Sequence, residues 1–177
     1  MKFTEKKIEG VYLIEPEPYT DERGMLRRHF CQNEFAEYGL MTEIKQTNVS
    51  ENKKCHTLRG FHFQYSPQDE NKVISCVKGS IYDLVVDLRN ESKTFMKWLS
   101  FNLSEENRLS IYVPKGCANA YLTLQDNSWI LYYHSEFYSL GDEGSIRYND
   151  PLFKFHWPAK PEVISEKDLN IPDWPTK

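Results

Sequence analysis

Residues 72–88 read Lys72-Val73-Ile74-Ser75-Cys76-Val77-Lys78-Gly79-Ser80-Ile81-Tyr82-Asp83-Leu84-Val85-Val86-Asp87-Leu88. Two runs rich in β-branched residues, split by Lys78-Gly79, predict two extended segments joined at a hairpin turn. Alternation puts Ile81, Asp83, Val85 and Asp87 on one face of the second run and Tyr82, Leu84, Val86 and Leu88 on the other. A carboxylate sharing a face with Ile81 and Val85 predicts that Asp83 points into a partly polar interior and needs a partner there. Working outward, further strands are expected at 8–15, 46–50, around 57–64, and at 98–103, 109–113, 121–124 and 129–135. The run 8–15, followed by Pro16 and Pro18, suits an edge or dimer-forming strand. Helix signals are few: Asn33 to Gly39 carries a fair N-cap and a C′ glycine, Ser104 is placed to open a helical turn, and Ser165 can cap a last one. About ten short strands at spacings of roughly 8 to 12 residues predict an all-β jelly roll or barrel with a few short peripheral helices, one domain over 1–177.

The composition agrees with that class. Aromatic residues make up 14% of the 177 positions, which suits sheets and aromatic-lined cavities. The formal charge of -4 is spread along the chain, so no basic field predicts nucleic-acid or anionic-membrane partners. No window approaches the roughly 18 apolar residues of a membrane span. Cys31, Cys55, Cys76 and Cys117 are scattered without framework spacing, and the Met1-Lys2-Phe3 start lacks an apolar signal segment. Both predict a reduced, cytoplasmic protein.

The chemistry-bearing candidate is His62, in Thr57-Leu58-Arg59-Gly60-Phe61-His62-Phe63-Gln64. An imidazole titrates nearest neutrality, so His62 can serve as a base with little tuning, although a lone histidine is more often a hydrogen-bonded structural residue. A metal centre needs three or four good ligands, and this neighbourhood supplies one imidazole and, further on, Asn119, so no metal is expected. Arg59 and Arg23 are candidates for phosphate contacts, because guanidinium binds phosphate oxygens bidentately. Strict alternation would place Arg59 and His62 on opposite faces, so a shared pocket requires a bulge near Gly60.

Taken together, Arg59-Gly60-Phe61-His62-Phe63-Gln64, Asn71-Lys72-Val73, Gly79-x-x-Tyr82-Asp83-x-x-x-Asp87-Leu88-Arg89 and Ser92-x-Thr94-Phe95-x-x-Trp98 resemble the dTDP-4-dehydrorhamnose 3,5-epimerase family of cupins. The likeness continues through Leu103-Ser104-x-Glu106-Asn107, Tyr112-x-Pro114-x-Gly116, Tyr132, Tyr138, Asn149-Asp150-Pro151, Trp157-Pro158 and Ser165-x-Lys167-Asp168. Near the start it includes Asp21-Glu22-Arg23-Gly24 and Gln46-x-Asn48-x-Ser50.

The resemblance implies a jelly-roll enzyme that needs neither metal nor cofactor, usually a homodimer, that inverts C3, C5 or both in a nucleotide-linked 4-keto-6-deoxy sugar for deoxysugar biosynthesis. It assigns His62 as base, Asp168 as its partner, Lys72 as enolate stabiliser and Tyr132 as the acid on the other face. Arg23, Arg28, Gln46, Asn48, Arg59, Asp83, Asn119, Tyr138 and Lys167 fall at substrate-binding positions. The chain departs from the family where Pro-x-Gly-Phe-Ala-His-Gly-Phe becomes Pro114-Lys115-Gly116-Cys117-Ala118-Asn119-Ala120-Tyr121. Asn119 donates and accepts hydrogen bonds but exchanges no proton near neutrality. Leu26 replaces a usual aromatic, and Arg28 stands where many members carry Glu. A mono-epimerase, an enzyme for another nucleotide sugar such as a CDP- or GDP-linked one or a heptose, a non-catalytic sugar-nucleotide-binding cupin and a metal-dependent cupin remain the alternatives.

Overall fold

The β-rich sequence forms thirteen strands and two short helices in a computed structural model that describes residues 1–175. The last two positions of the expected 1–177 domain, Thr176 and Lys177, lie outside the described residues. In chain order the elements are β1 (Lys2–Glu5), β2 (Tyr12–Glu15), β3 (Tyr19–Asp21), β4 (Gly24–Leu26), α1 (Gln32–Glu37), β5 (Gln46–Asn52), β6 (Leu58–Gln64) and β7 (Lys72–Lys78). They continue with β8 (Ser80–Asp87), β9 (Trp98–Ser104), β10 (Ser110–Val113), β11 (Cys117–Thr123), β12 (Ser128–His134), β13 (Glu143–Ser145) and α2 (Glu166–Leu169).

A six-stranded sheet, ordered β1-β2-β10-β7-β12-β5, faces a five-stranded sheet, ordered β13-β6-β11-β8-β9, while β3 and β4 form a separate hairpin. This is the cupin-like jelly roll. Between the sheets lies an apolar core that includes Ile74, Ile111 and Ile130 from one side and Ile81, Val85 and Tyr121 from the other. The outer face of the five-stranded sheet is also buried. Leu84 and Val86 meet Phe61, Phe63, Ile146 and Phe153 there, and the ring of Phe155 stacks on Phe61 at 4.2 Å between centroids. That second layer explains why Leu84-Val85-Val86 is continuously apolar. Each such side chain stabilises the fold by about 1.5–3 kcal/mol relative to exposure.

Three expectations change. Lys78-Gly79 joins no hairpin: β7 and β8 belong to different sheets, so this turn is the corner where the chain crosses between them. Gly79 has φ +73°, and a Cβ there would collide with Ser128. The run 8–15 contributes only β2, which lies between β1 and β10 rather than at an edge. After Ser104 the chain makes a turn instead of a helix, because the Asn107 side chain accepts from the backbone N–H groups of Ser104 and Leu109 and so takes the place of helical partners. The first helix ends as expected, with Gly39 at φ +67°, although its N-cap is Cys31 rather than Asn33.

Candidate active site

The bulge needed at Gly60 is present. β11 opposes β6 with Asn119 across from His62 and Ala120 across from Gly60, so Phe61 is the extra residue. Its side chain joins the apolar layer on the outer face of the sheet, while Arg59 and His62, on either side of the bulge, both reach a cavity of about 300 Å3 between the sheets. Gly60 has φ +109°, and a Cβ would meet the Asn119 carbonyl oxygen at 2.6 Å. Only glycine fits this close strand approach.

His62 Nε2 lies 2.8 Å from Asp168 Oδ1. The imidazole is 46% exposed and the carboxylate 6%, so the ring is reachable and its partner covered. Asp168 is held on α2, whose N-cap Ser165 accepts from the Asp168 backbone N–H at 3.1 Å. Burial alone would raise the Asp168 carboxyl, but hydrogen bonding and charge from His62, with the Ser165 hydroxyl and the Gly60 N–H, hold it below the ordinary range. The pair is therefore a carboxylate that orients an imidazole and can balance the imidazolium.

Across the cavity, the six-stranded sheet supplies Lys72 from β7 and Tyr132 and His134 from β12. Lys72 Nζ donates to the His62 carbonyl at 3.0 Å and to Asn119 Oδ1 at 3.4 Å. Asn119 Nδ2 donates in turn to Asp83 Oδ2 at 3.2 Å. Asp83 is fully buried with Oδ1 unpartnered. Burial pushes its carboxyl well above the ordinary range, and the Asn119 amide and the Lys72 charge offset this only in part. Burial likewise raises the Tyr132 phenol, reinforced by Tyr121 and Asp83 and opposed by Arg59, so it stays protonated.

The remaining predicted residues fall into three places. Asn48, Arg59 and Tyr138 line the cavity with the groups above. Gln46 braces it, donating to Asn48 Oδ1 at 3.2 Å and accepting from the Tyr138 backbone N–H at 3.1 Å, and Lys167 pairs with cavity-lining Glu143 at 2.7 Å. Arg23 and Arg28 are not among the cavity's lining residues; Arg23 pairs with Asp21 in the β3–β4 hairpin and Arg28 with Glu34.

Among the lining residues that the sequence did not single out, His134 and Glu70 form a pair. His134 Nδ1 lies 2.7 Å from Glu70 Oε2, and Glu70 also lies 3.5 Å from Lys72 Nζ. Burial would raise Glu70, but His134 and Lys72 hold it ionised. His134 was legible in principle, since it follows Tyr132 by two residues on one strand and so shares its face. Glu70 sits in the polar loop 65–71, which carries no such pattern. Among the described residues, no three His, Cys, Asp or Glu side chains come together as a metal-binding group. None of the helices is long and apolar enough to cross a membrane.

Fold and site together define a cupin-like protein with an acid–base cavity, an oriented imidazole on one sheet and a protonated phenol with a lysine on the other. The chain belongs to the dTDP-4-dehydrorhamnose 3,5-epimerase family, which it matches over residues 5–175. The dTDP-4-dehydrorhamnose 3,5-epimerase of Shigella flexneri is 36% identical, with 96% of this chain and 94% of that protein aligned. The crystal structure of the Bacillus anthracis dTDP-4-dehydrorhamnose 3,5-epimerase with TDP and PPi bound superimposes with TM-score 0.94 at 32% identity, covering 98% of this chain and 99% of that one. A 3′-monoepimerase from Streptomyces bikiniensis, in complex with dTDP-quinovose, has TM-score 0.88 at 31% identity, covering 95% and 85%.

Proposed function

We propose that the protein is an isomerase that inverts C3 and C5 of a dTDP-4-keto-6-deoxyhexose in deoxysugar biosynthesis. The observation that carries this reading is the entry of His62, backed by Asp168, and of Tyr132 into one cavity from opposite sheets. Inversion at carbon needs removal of a proton from one face and delivery to the other, which this arrangement provides.

The C4 ketone acidifies the neighbouring C–H bonds. His62 takes the proton, and Asp168 keeps the ring oriented and stabilises the cation formed. The electrons move onto the ketone oxygen, where Lys72 offsets the developing negative charge. Tyr132 then delivers its proton to the opposite face. Arg59 serves the diphosphate, Asn48, Asn119 and Tyr138 contact sugar or nucleotide, and Gln46, Asp83 and Lys167 support those contacts from behind. Neither metal nor cofactor takes part. The homodimer and the cytoplasmic setting belong to the same proposal. Exposed Tyr19 and Leu26 on the β3–β4 hairpin, which carries Arg23, suit a partner-covered surface, and four free cysteines suit a reducing compartment.

Asn119 favours a second reading, inversion at one carbon only, because its amide cannot shuttle protons where the family carries histidine. Incubation with dTDP-4-keto-6-deoxyglucose in D2O, followed by NMR, separates the two. Deuterium at both C3 and C5 is expected; deuterium at one position selects the mono-epimerase, and none at either overturns the epimerase reading for this substrate.

A further inference from the structure

The cavity holds a second imidazole oriented by a carboxylate, on the sheet opposite His62. His134 Nδ1 lies 2.7 Å from Glu70 Oε2, much as His62 Nε2 lies 2.8 Å from Asp168 Oδ1. Both side chains are largely covered, 12% exposed for His134 and 9% for Glu70, and Lys72 Nζ lies 3.5 Å from the other Glu70 oxygen. With Glu70 ionised, Nδ1 carries the proton donated to it, and Nε2 is the nitrogen left to exchange one. Its neighbour is Asn48 Nδ2 at 3.4 Å, a contact longer than an ordinary hydrogen bond. His134 stands across from Lys72 on β7 and two residues beyond Tyr132 on β12. The Tyr132 and His134 rings stack, with centroids 5.7 Å apart and 17° between planes. Two proton-bearing side chains thus share one wall of the cavity.

In the chair of a 4-keto-6-deoxyglucose the hydrogens at C3 and C5 are both axial on one face, so a single base can remove them in turn. Both replacement protons must then arrive on the other face, and Tyr132 holds one. We propose that His134 is a second catalytic acid, giving its Nε2 proton to whichever of C3 and C5 Tyr132 does not protonate, with Glu70 as its positioning residue. This deepens the epimerase reading and rests on it. In the step, the enolate electrons form the new C–H bond as the Nε2–H bond breaks, and the C4 ketone is restored. His134 passes from imidazolium to neutral imidazole, keeps its Nδ1–H on Glu70, and regains a proton from water in the open cavity. Glu70 stays ionised throughout, balancing the cation before the transfer and fixing the ring after it.

The test is His134→Gln, whose amide can still donate to Glu70 but transfers no proton. In D2O with dTDP-4-keto-6-deoxyglucose, NMR of early time points should show the wild-type protein inverting both carbons. In the variant the first inversion should persist, while the ratio of doubly to singly inverted product falls by about 10²-fold. A role confined to holding Glu70 and Lys72 would slow both inversions together and leave the ratio unchanged, and an unchanged ratio overturns the proposal. Inversion at one carbon only in the wild-type protein overturns it too, while leaving the mono-epimerase reading in place. A second measurement needs neither substrate nor an active variant. In protein labelled with 15N-histidine, the His134 resonances, assigned by their loss in His134→Gln, should show neutral His134 as the Nδ1–H tautomer; the Nε2–H tautomer overturns the pairing with Glu70. Absence of exchange in the wild-type protein would instead count against the epimerase reading, and the tautomer would still decide the pairing.

Discussion

His62 and Asp168 are 106 residues apart in sequence and 2.8 Å apart in the folded chain. One sits on an inner strand of the five-stranded sheet and the other on a single helical turn that follows both sheets, so the pair proposed as the base unit is made by tertiary structure alone.

Breaking that unit should abolish proton abstraction while sparing nucleotide binding. His62→Ala is expected to lower deuterium exchange into substrate by about 10²–10⁴-fold. Asp168→Asn, which preserves shape but removes the charge that balances the imidazolium, should fall in a similar range. NMR in D2O reads both, with calorimetric titration of dTDP as the binding control. Wild-type exchange in His62→Ala would show that another group is the base.

Lys72 offers a separable effect. Its ammonium is buried against the His62 carbonyl, Asn119 and Glu70, and the proposed mechanism sets it against the charge that develops on the ketone oxygen. Lys72→Gln should reduce kcat by about 10²–10³-fold with a much smaller change in KM, since the interaction strengthens as charge develops. An equal loss through KM alone would mean that Lys72 merely binds ground-state substrate.

Gly60→Ala should injure fold and site together. The position combines φ +109° with backbone of the neighbouring strand at 2.6–2.8 Å from any Cβ. A stability loss of about 1–3 kcal/mol or more is expected in denaturant titrations. The surviving folded protein should also lose activity, because the bulge that brings Arg59 and His62 to one side would shift. Unchanged stability would mean that the strand approach relaxes freely.

Asp87 is a structural carboxylate with a pH signature. Burial would raise it, yet Arg89, Ser92 and Thr94 donate to it and pull its pKa from 3.8 to about 2. The folded value lies below the unfolded one, so the stabilisation is fully present above about pH 4 and fades as pH falls toward about 2. At neutral pH it contributes about 2 kcal/mol. Asp87→Asn should lose that amount and show a flatter decline below pH 4 in thermal melts. A variant whose acid limb matches the wild type would remove Asp87 as the cause.

Much of this was readable before the fold was known, and the failures share a cause. Alternation alone put Asp83 inside, and the clash between Arg59 and His62 facing demanded the bulge that β6 has. Strand partners were another matter. Lys78-Gly79 reads like a hairpin because its local chemistry is that of any tight turn, and only pairing with residues far along the chain makes it a corner. β13, three residues long, exists because β6 offers it an edge. Glu70 became part of the cavity through His134, which lies 64 residues later. Local chemistry specifies strands and turns, whereas the cavity depends on which distant strands become neighbours.

The placement of α2 after every strand also sets an order of events during synthesis. The residues of both sheets, Lys72, Tyr132 and Arg59 among them, precede Asp168 in the order of translation. The proposed base, His62, thus receives its carboxylate partner from the last element in chain order, after the strands that build the cavity walls.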